Sequence, residues 1–185
     1  DPVWQTAVAC ADAAKANNAS VLIGLGGGSS IDIAKVTAIL LTNGGSPLDY
    51  AGIGQVPKAG LPLIAIPTTA GTGSEVTPIA VLSDKEEQTK KGVVSPFLYP
   101  TLALVDPELM LGLPPRITAY TGMDALTHCI EAYTNRFAQP FVDVFADAGM
   151  ELIGDSIRTA FCDGSNLQDR TDMAMGSLYG GLCLG

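Results

Sequence analysis

Asp124 and His128 stand four residues apart in Thr121-Gly122-Met123-Asp124-Ala125-Leu126-Thr127-His128, a spacing that places both on one face of a helix. A carboxylate and an imidazole so placed can share a divalent ion. They can equally form an ion pair, or leave the histidine as a core residue bonded to a neighbour. His128 is the only histidine of the chain, and two donors fall short of the usual four or so of a stable divalent site. Two polar turns offer a different chemistry. Gly26-Gly27-Gly28-Ser29-Ser30 separates an apolar run from a helical pattern, where backbone N–H groups and a helix N-terminus can hold a phosphate. A plain tight turn would use the same residues, with Ser29 as the N-cap and Asp32 reciprocating. The turn is not the Gly-x-Gly-x-x-Gly fingerprint, since Ser29 stands where the third glycine should be when Gly24 and Gly26 are the first two, and no Walker pattern is present. Pro67-Thr68-Thr69-Ala70-Gly71-Thr72-Gly73-Ser74-Glu75 brings hydroxyls and glycines that can donate to a ribose or phosphate without adding charge, or can stabilise the turn itself.

The elements that must position these residues fall into two groups. A helix is expected from the first residues to about Asn18, with Asp1 as N-cap and Pro2 at its first position. Residues 21–25 read as a strand buried on both faces, and a helix follows over 30–41. Residues 63–66, 79–82 and 102–105 are further strands, each closed by Pro, Asp or Ser. Buried strands alternating with helices predict a parallel sheet. After Pro114-Pro115 the apolar spacing turns helical over 117–133, 141–161 and 167–184, with almost no strand signal. The predicted division is an α/β domain over 1–113 and the start of an all-helical domain over 114–185, with the boundary at the paired prolines.

Composition narrows the function classes. Of 185 residues, 47% are hydrophobic and 16% charged, which suits a globular protein and not a disordered one. No apolar run approaches the roughly 20 residues of a membrane span, so no transmembrane or signal segment is expected. Ten Lys and Arg against 19 Asp and Glu give a formal charge of -9, which argues against nucleic-acid or acidic-membrane partners. Cys10, Cys129, Cys162 and Cys183 form no Cys-x-x-Cys pair and read as buried thiols of a reducing, cytoplasmic protein. The chain opens without methionine and stops in mid-pattern, so it is expected to be a piece of a longer one.

Four blocks together carry a more specific signal. They are Gly26-Gly27-Gly28-Ser29-Ser30-Ile31-Asp32-Ile33-Ala34-Lys35, Ile66-Pro67-Thr68-Thr69-Ala70-Gly71-Thr72-Gly73-Ser74-Glu75-Val76-Thr77, Val105-Asp106-Pro107-Glu108-Leu109, and Thr121 through Tyr133. In content, order and spacing they resemble the iron-containing (group III) alcohol dehydrogenases, and the resemblance covers essentially the whole chain. It implies a Rossmann-like α/β nucleotide-binding domain followed by an all-helical domain, both incomplete, with the metal in the cleft between them.

By that resemblance Gly27, Gly28, Ser29 and Asp32 would hold the pyrophosphate of NAD or NADP. Thr68, Thr69, Thr72 and Thr77 would contact its phosphate, ribose and nicotinamide region, and Lys90 looks like the family's cofactor-contacting lysine. Asp124 and His128 match two of four ligands to a divalent metal, Fe2+ first and Zn2+ as the alternative; the other two are histidines beyond this chain. The implied reaction moves a hydride between a small alcohol or aldehyde and the nicotinamide, with the ion polarising the substrate oxygen. The implied assembly is a homodimer, and the 185-residue piece alone is expected to be inactive. A metal-free reductase of the maleylacetate type is the alternative, although such sequences depart at the position of Asp124. A non-catalytic nucleotide-binding fragment is the other.

Overall fold

A computed structural model of the chain describes residues 2–185. The expected cap at Asp1 lies outside the described residues. Helix α1 (Trp4–Ala16) starts after Val3, so Pro2 precedes it instead of opening it. The chain then forms two compact units. One runs up to Ile66 and resumes over Thr77–Leu104; the other holds Pro67–Val76 and Val105–Gly185.

In the first unit, β1 (Leu22–Gly26), α2 (Gly28–Asn43), β2 (Gly52–Ile53), β3 (Leu63–Pro67), β4 (Ile79–Asp84), β5 (Thr89–Val94) and β6 (Leu102–Ala103) follow α1. They build two three-stranded sheets, ordered β1-β3-β6 and β2-β5-β4. β3 and β6 run parallel, with Ile64 opposite Leu102 and Ala65 opposite Ala103. β4 departs from the expected parallel sheet. It is one arm of an antiparallel hairpin with β5, from Ile79 opposite Val94 to Asp84 opposite Thr89, and β2 adds to β5 in parallel. At the hairpin turn the Asp84 carboxylate accepts from the N–H groups of Glu86 and Glu87, a local bond that reverses the chain without glycine. The core gathers Ala7, Val36, Ile39, Ala80, Leu82 and Val93.

β1 is not buried on both faces. Gly24 is packed against α2, where an added Cβ would stand 2.9 Å from Ala34 Cβ, but Val21, Ile23 and Leu25 are exposed. α2 covers only the face on which Gly24 lies, and the face that carries Val21, Ile23 and Leu25 is left exposed among the described residues.

The second unit packs α3 (Pro115–Thr134), α4 (Pro140–Cys162) and α5 (Leu167–Leu184) on one another. α3 and α4 begin at proline, which suits a first position where the N–H has no partner. α5 is capped by Asn166, whose side chain accepts from Gln168 and Asp169 N–H. Small residues let the helices close up: a Cβ on Gly176 would fall 2.5 Å from Ile153 Cγ1, and one on Gly149 would fall 2.7 Å from Cys129 Sγ. Met110, Ala125, Cys129, Ile153 and Met173 fill the core, with Ala70 from the loop 67–76.

Arg170 is the largest buried side chain of this unit, 2% exposed. It donates to Thr118 Oγ1 (2.7 Å), Gly164 O (3.0 Å) and Leu113 O (3.3 Å), tying the α4–α5 turn to the start of α3. Nothing in the apolar spacing of α5 marks it as buried. The cysteines are all free, but only Cys129 is fully buried, while Cys10 and Cys162 are exposed. The expectation of four buried thiols therefore fails for those two, which sit on the outward faces of α1 and α4. Burial holds the Cys129 thiol up at about 11. Among the described residues no helix is long and apolar enough to cross a membrane.

Candidate cofactor and metal sites

The glycine turn sits where β1 gives way to α2. Gly26 has φ +142°, a conformation that L side chains rarely adopt. Gly27, not Ser29, is the N-cap, and it caps without a side chain. Ser30 and Ile31 N–H bond back to Gly27 O, so α2 begins two residues earlier than its expected start. The first turn keeps backbone donors that no side chain satisfies, the arrangement that accepts an anion.

Ser29 is exposed on that turn. Asp32 does not close a capping box. Its carboxylate accepts from Val81 N–H at 3.0 Å, which ties α2 to β4. Thr77, just before β4, is buried, and its hydroxyl accepts from Lys35 Nζ at 3.1 Å. Lys90 lies exposed on β5, opposite Ser83 in the hairpin register.

Thr68, Thr69 and Thr72 belong to the other unit, on the loop 67–76. All three are half-buried, and Thr72 Oγ1 accepts from Ser74 N–H at 3.2 Å. The two glycines of this loop serve packing. A Cβ on Gly71 would stand 2.7 Å from Thr121 Cβ of α3, and one on Gly73, at φ +59°, would stand 2.5 Å from Gly181 Cα of α5. The hydroxyls are thus held on a loop whose backbone rests directly on two helices.

Asp124 and His128 share one face of α3, as their spacing requires. Asp124 Oδ1 lies 3.7 Å from His128 Nε2, with side-chain exposures of 48% and 20%. That separation is beyond hydrogen-bond length. The other ring nitrogen, Nδ1, is buried and has no partner. The imidazole is therefore not a core histidine bonded to its neighbour, and neither nitrogen has a hydrogen-bond partner among the described residues. A cation drawing on a ring lone pair and on the carboxylate suits this pair, and carboxylate with imidazole suits Fe(II), Zn or Mn. The described residues contain no group of three or more His, Cys, Asp or Glu able to hold a metal, so the local donor set stops at two.

Reasoning from sequence missed Lys35 and Arg170, the two buried cations among the described residues. Lys35 closes the Gly26–Lys35 block, but its spacing to the glycines says nothing of burial.

Comparison with known proteins agrees with the blocks. The family described as iron-containing alcohol dehydrogenase matches residues 1–107, and the Fe-containing alcohol dehydrogenase family, C-terminal, matches 118–185. Sulfoacetaldehyde reductase of Bilophila wadsworthia is 45% identical over 186 residues, covering 100% of this chain and 48% of that protein. Alcohol dehydrogenase 4 of Saccharomyces cerevisiae is 45% identical over 168 residues, covering 91% and 44%. The crystal structure of sulfoacetaldehyde reductase from Bifidobacterium kashiwanohense in complex with NAD+ superposes with a TM-score of 0.92 at 38% identity, covering 98% of this chain and 49% of that one. The chain thus spans about half the length of the curated relatives it matches. With both family models matched in order and a fold shared at this level, the chain belongs to the iron-containing alcohol dehydrogenase family.

Proposed function

We propose that the protein carrying this chain is a metal-dependent, NAD(P)-linked alcohol dehydrogenase that moves a hydride between a small alcohol and its aldehyde or ketone. The pair Asp124 and His128, two unsatisfied donors on one helix face in a chain of this family, carries the reading. The relatives named above act, by their names, on alcohols or on a sulfonated aldehyde, and alcohol–carbonyl interconversion is the chemistry they have in common. The NAD+ complex of a relative supports a nicotinamide dinucleotide, NAD or NADP.

Asp124 and His128 would hold a divalent ion, Fe2+ or else Zn2+, with histidines beyond this chain completing the set. When bound, such an ion supplies a Lewis acid that polarises the substrate oxygen. The rest is positioning by the chain's own residues. Gly27, Gly28 and Ser29 offer N–H and hydroxyl donors to the pyrophosphate, and the α2 N-terminus adds its dipole. Asp32, with its carboxylate engaged by Val81 N–H, acts by holding α2 to β4, since a carboxylate repels a phosphate. Thr68, Thr69, Thr72 and Thr77 supply neutral hydroxyls, and Lys90 supplies a positive charge. The two family models, separated by residues 108–117, support reading 1–113 and 114–185 as the nucleotide-binding and metal-binding domains. We further read the intact protein as a cytoplasmic homodimer, and the isolated chain as inactive for want of the remaining ligands.

The test is NAD(P)H production from a panel of alcohols by the full protein, prepared without oxygen, with Fe(II) or Zn(II) returned after chelation. Metal-restored turnover that falls by about three orders of magnitude in Asp124→Ala or His128→Ala is expected, several kcal/mol of transition-state stabilisation being at stake. Turnover indifferent to chelation would replace this reading with the metal-free reductase. Cofactor binding without turnover would replace it with a non-catalytic nucleotide-binding role.

A further inference from the structure

We propose that Lys35 is a positioning residue of the cofactor site, fixing the Thr77 hydroxyl as a hydrogen-bond donor to an acceptor oxygen of the bound nicotinamide dinucleotide. This rests on the reading of Thr77 as a cofactor residue. Lys35 lies on α2 and is 1% exposed. Its ammonium donates to Thr77 O at 2.8 Å, to Ile79 O at 2.8 Å and to Thr77 Oγ1 at 3.1 Å.

An ammonium has three donors and no acceptor. Thr77 Oγ1 must therefore act as the acceptor in that pair, and its own proton is turned away from Lys35. Among the described residues that proton meets no acceptor, although Thr77 is only 4% exposed. Buried hydroxyls ordinarily use their donors, so this one is matched to an acceptor that the described residues do not supply. A bond accepted from a cation also polarises the hydroxyl and makes it a stronger donor. The fitting partner is a carbonyl, ribose or phosphate oxygen of the cofactor, and an N–H group would be mismatched.

The surrounding bonds support positioning and not mere filling. A methionine would occupy a similar volume without desolvating a charge. What the lysine adds is three directed donors, two of them on the carbonyls either side of Pro78. One turn earlier, Asp32 accepts from Val81 N–H. α2 thereby holds the chain at Thr77, Ile79 and Val81 in succession, and a shift of this segment would carry the hydroxyl with it.

The experiment is fluorescence titration of NADH and NADPH into the full protein, as wild type, Lys35→Met, Thr77→Val, Thr77→Ser and the double variant Lys35→Met/Thr77→Val, with thermal midpoints recorded alongside. Lys35→Met is expected to weaken cofactor binding about tenfold in the wild-type background and less than about twofold in the Thr77→Val background. Thr77→Ser, which keeps the hydroxyl, is expected to stay within about twofold of wild type. Equal losses from Lys35→Met in both backgrounds would overturn the proposal, because a purely structural lysine acts regardless of Thr77. Unchanged affinity in Lys35→Met would overturn it as well. Should Lys35→Met fail to fold, the same cycle is run with Lys35→Gln, with the same expected coupling to Thr77, and a Thr77→Val protein that binds like wild type removes the proposal in either case. A wild-type protein that binds neither dinucleotide would overturn the functional reading beneath, and this inference with it, whereas binding that is intact but insensitive to Lys35 overturns this inference alone.

Discussion

Two turns of this molecule follow strands, and both are rich in glycine and hydroxyls, yet they use glycine for different ends. At 26–30 the glycines shape an open helix start: Gly26 takes a backbone angle that other residues resist, and Gly27 caps α2 without covering its donors. At 67–76 the glycines are contact surfaces, with Gly71 against Thr121 and Gly73 against Gly181. In the first turn the backbone is left for a ligand to approach. In the second the backbone at Gly71 and Gly73 is taken by helices, and the half-buried threonine side chains are left to meet one. A glycine-rich loop thus does not by itself mark where a phosphate sits; what matters is whether the space beside the glycine is already filled.

Substitutions in the two turns should separate these roles. Gly73→Ala is the most disruptive, because it combines a left-handed backbone with a Cβ at 2.5 Å from Gly181 Cα. It should remove about 3 kcal/mol of stability, read as a shift in urea midpoint. A midpoint unchanged from wild type would mean that the loop is not seated on α5. Gly26→Ala should lower stability by about 2 kcal/mol, since the backbone is strained for an L side chain and the added Cβ would stand 2.5 Å from Ser30 Oγ and 2.8 Å from Ser30 Cβ, of which only the hydroxyl can rotate aside. Cofactor affinity should fall further than stability alone explains. Ser29→Ala is the mildest: Ser29 is not the cap, so the midpoint should move by less than about 0.5 kcal/mol. The dissociation constant for cofactor should nevertheless rise about threefold to tenfold. A stability loss of a full cap, about 1 kcal/mol, would return Ser29 to the capping role that its spacing suggested.

The sequence made the helical unit more legible than the α/β unit, for physical reasons. Pro115, Pro140 and Asn166 announce helix starts through their own backbone chemistry, and apolar residues at helical spacing do the rest. The expected bounds of α3, α4 and α5 accordingly lie within two residues of those observed. The hairpin β4–β5 gives no such sign. Its second strand begins with Thr89-Lys90-Lys91 on an exposed surface, and its turn passes through Gln88 at φ +52° instead of an Asn-Gly or Gly pair. The pairing of β4 with β5, and not with β3 or β6, is a tertiary choice that no local pattern carries.

The same holds for side chains. Helical periodicity alone brings Asp124 and His128 to one face, while their reading as metal ligands comes from the family resemblance. Asp32 was identified, but its partner Val81 is remote in sequence, and a local capping role was the natural and mistaken expectation. Lys35 and Arg170 were invisible because burial of a cation depends on which oxygens the fold brings to it.

The loop 67–76 also bears on how the chain folds. It leaves β3, rests on α3 and α5, and returns to β4, so the helical unit recruits a piece from the middle of the other unit's sequence. Gly73 cannot find Gly181 until nearly all of the described chain has been synthesised. Contacts of such long sequence separation slow folding, because loop closure must precede the reward. A ribosome-bound chain ending soon after Leu113 would hold this loop without its seat, and the helical unit should consequently mature late, once α5 is available to receive the loop.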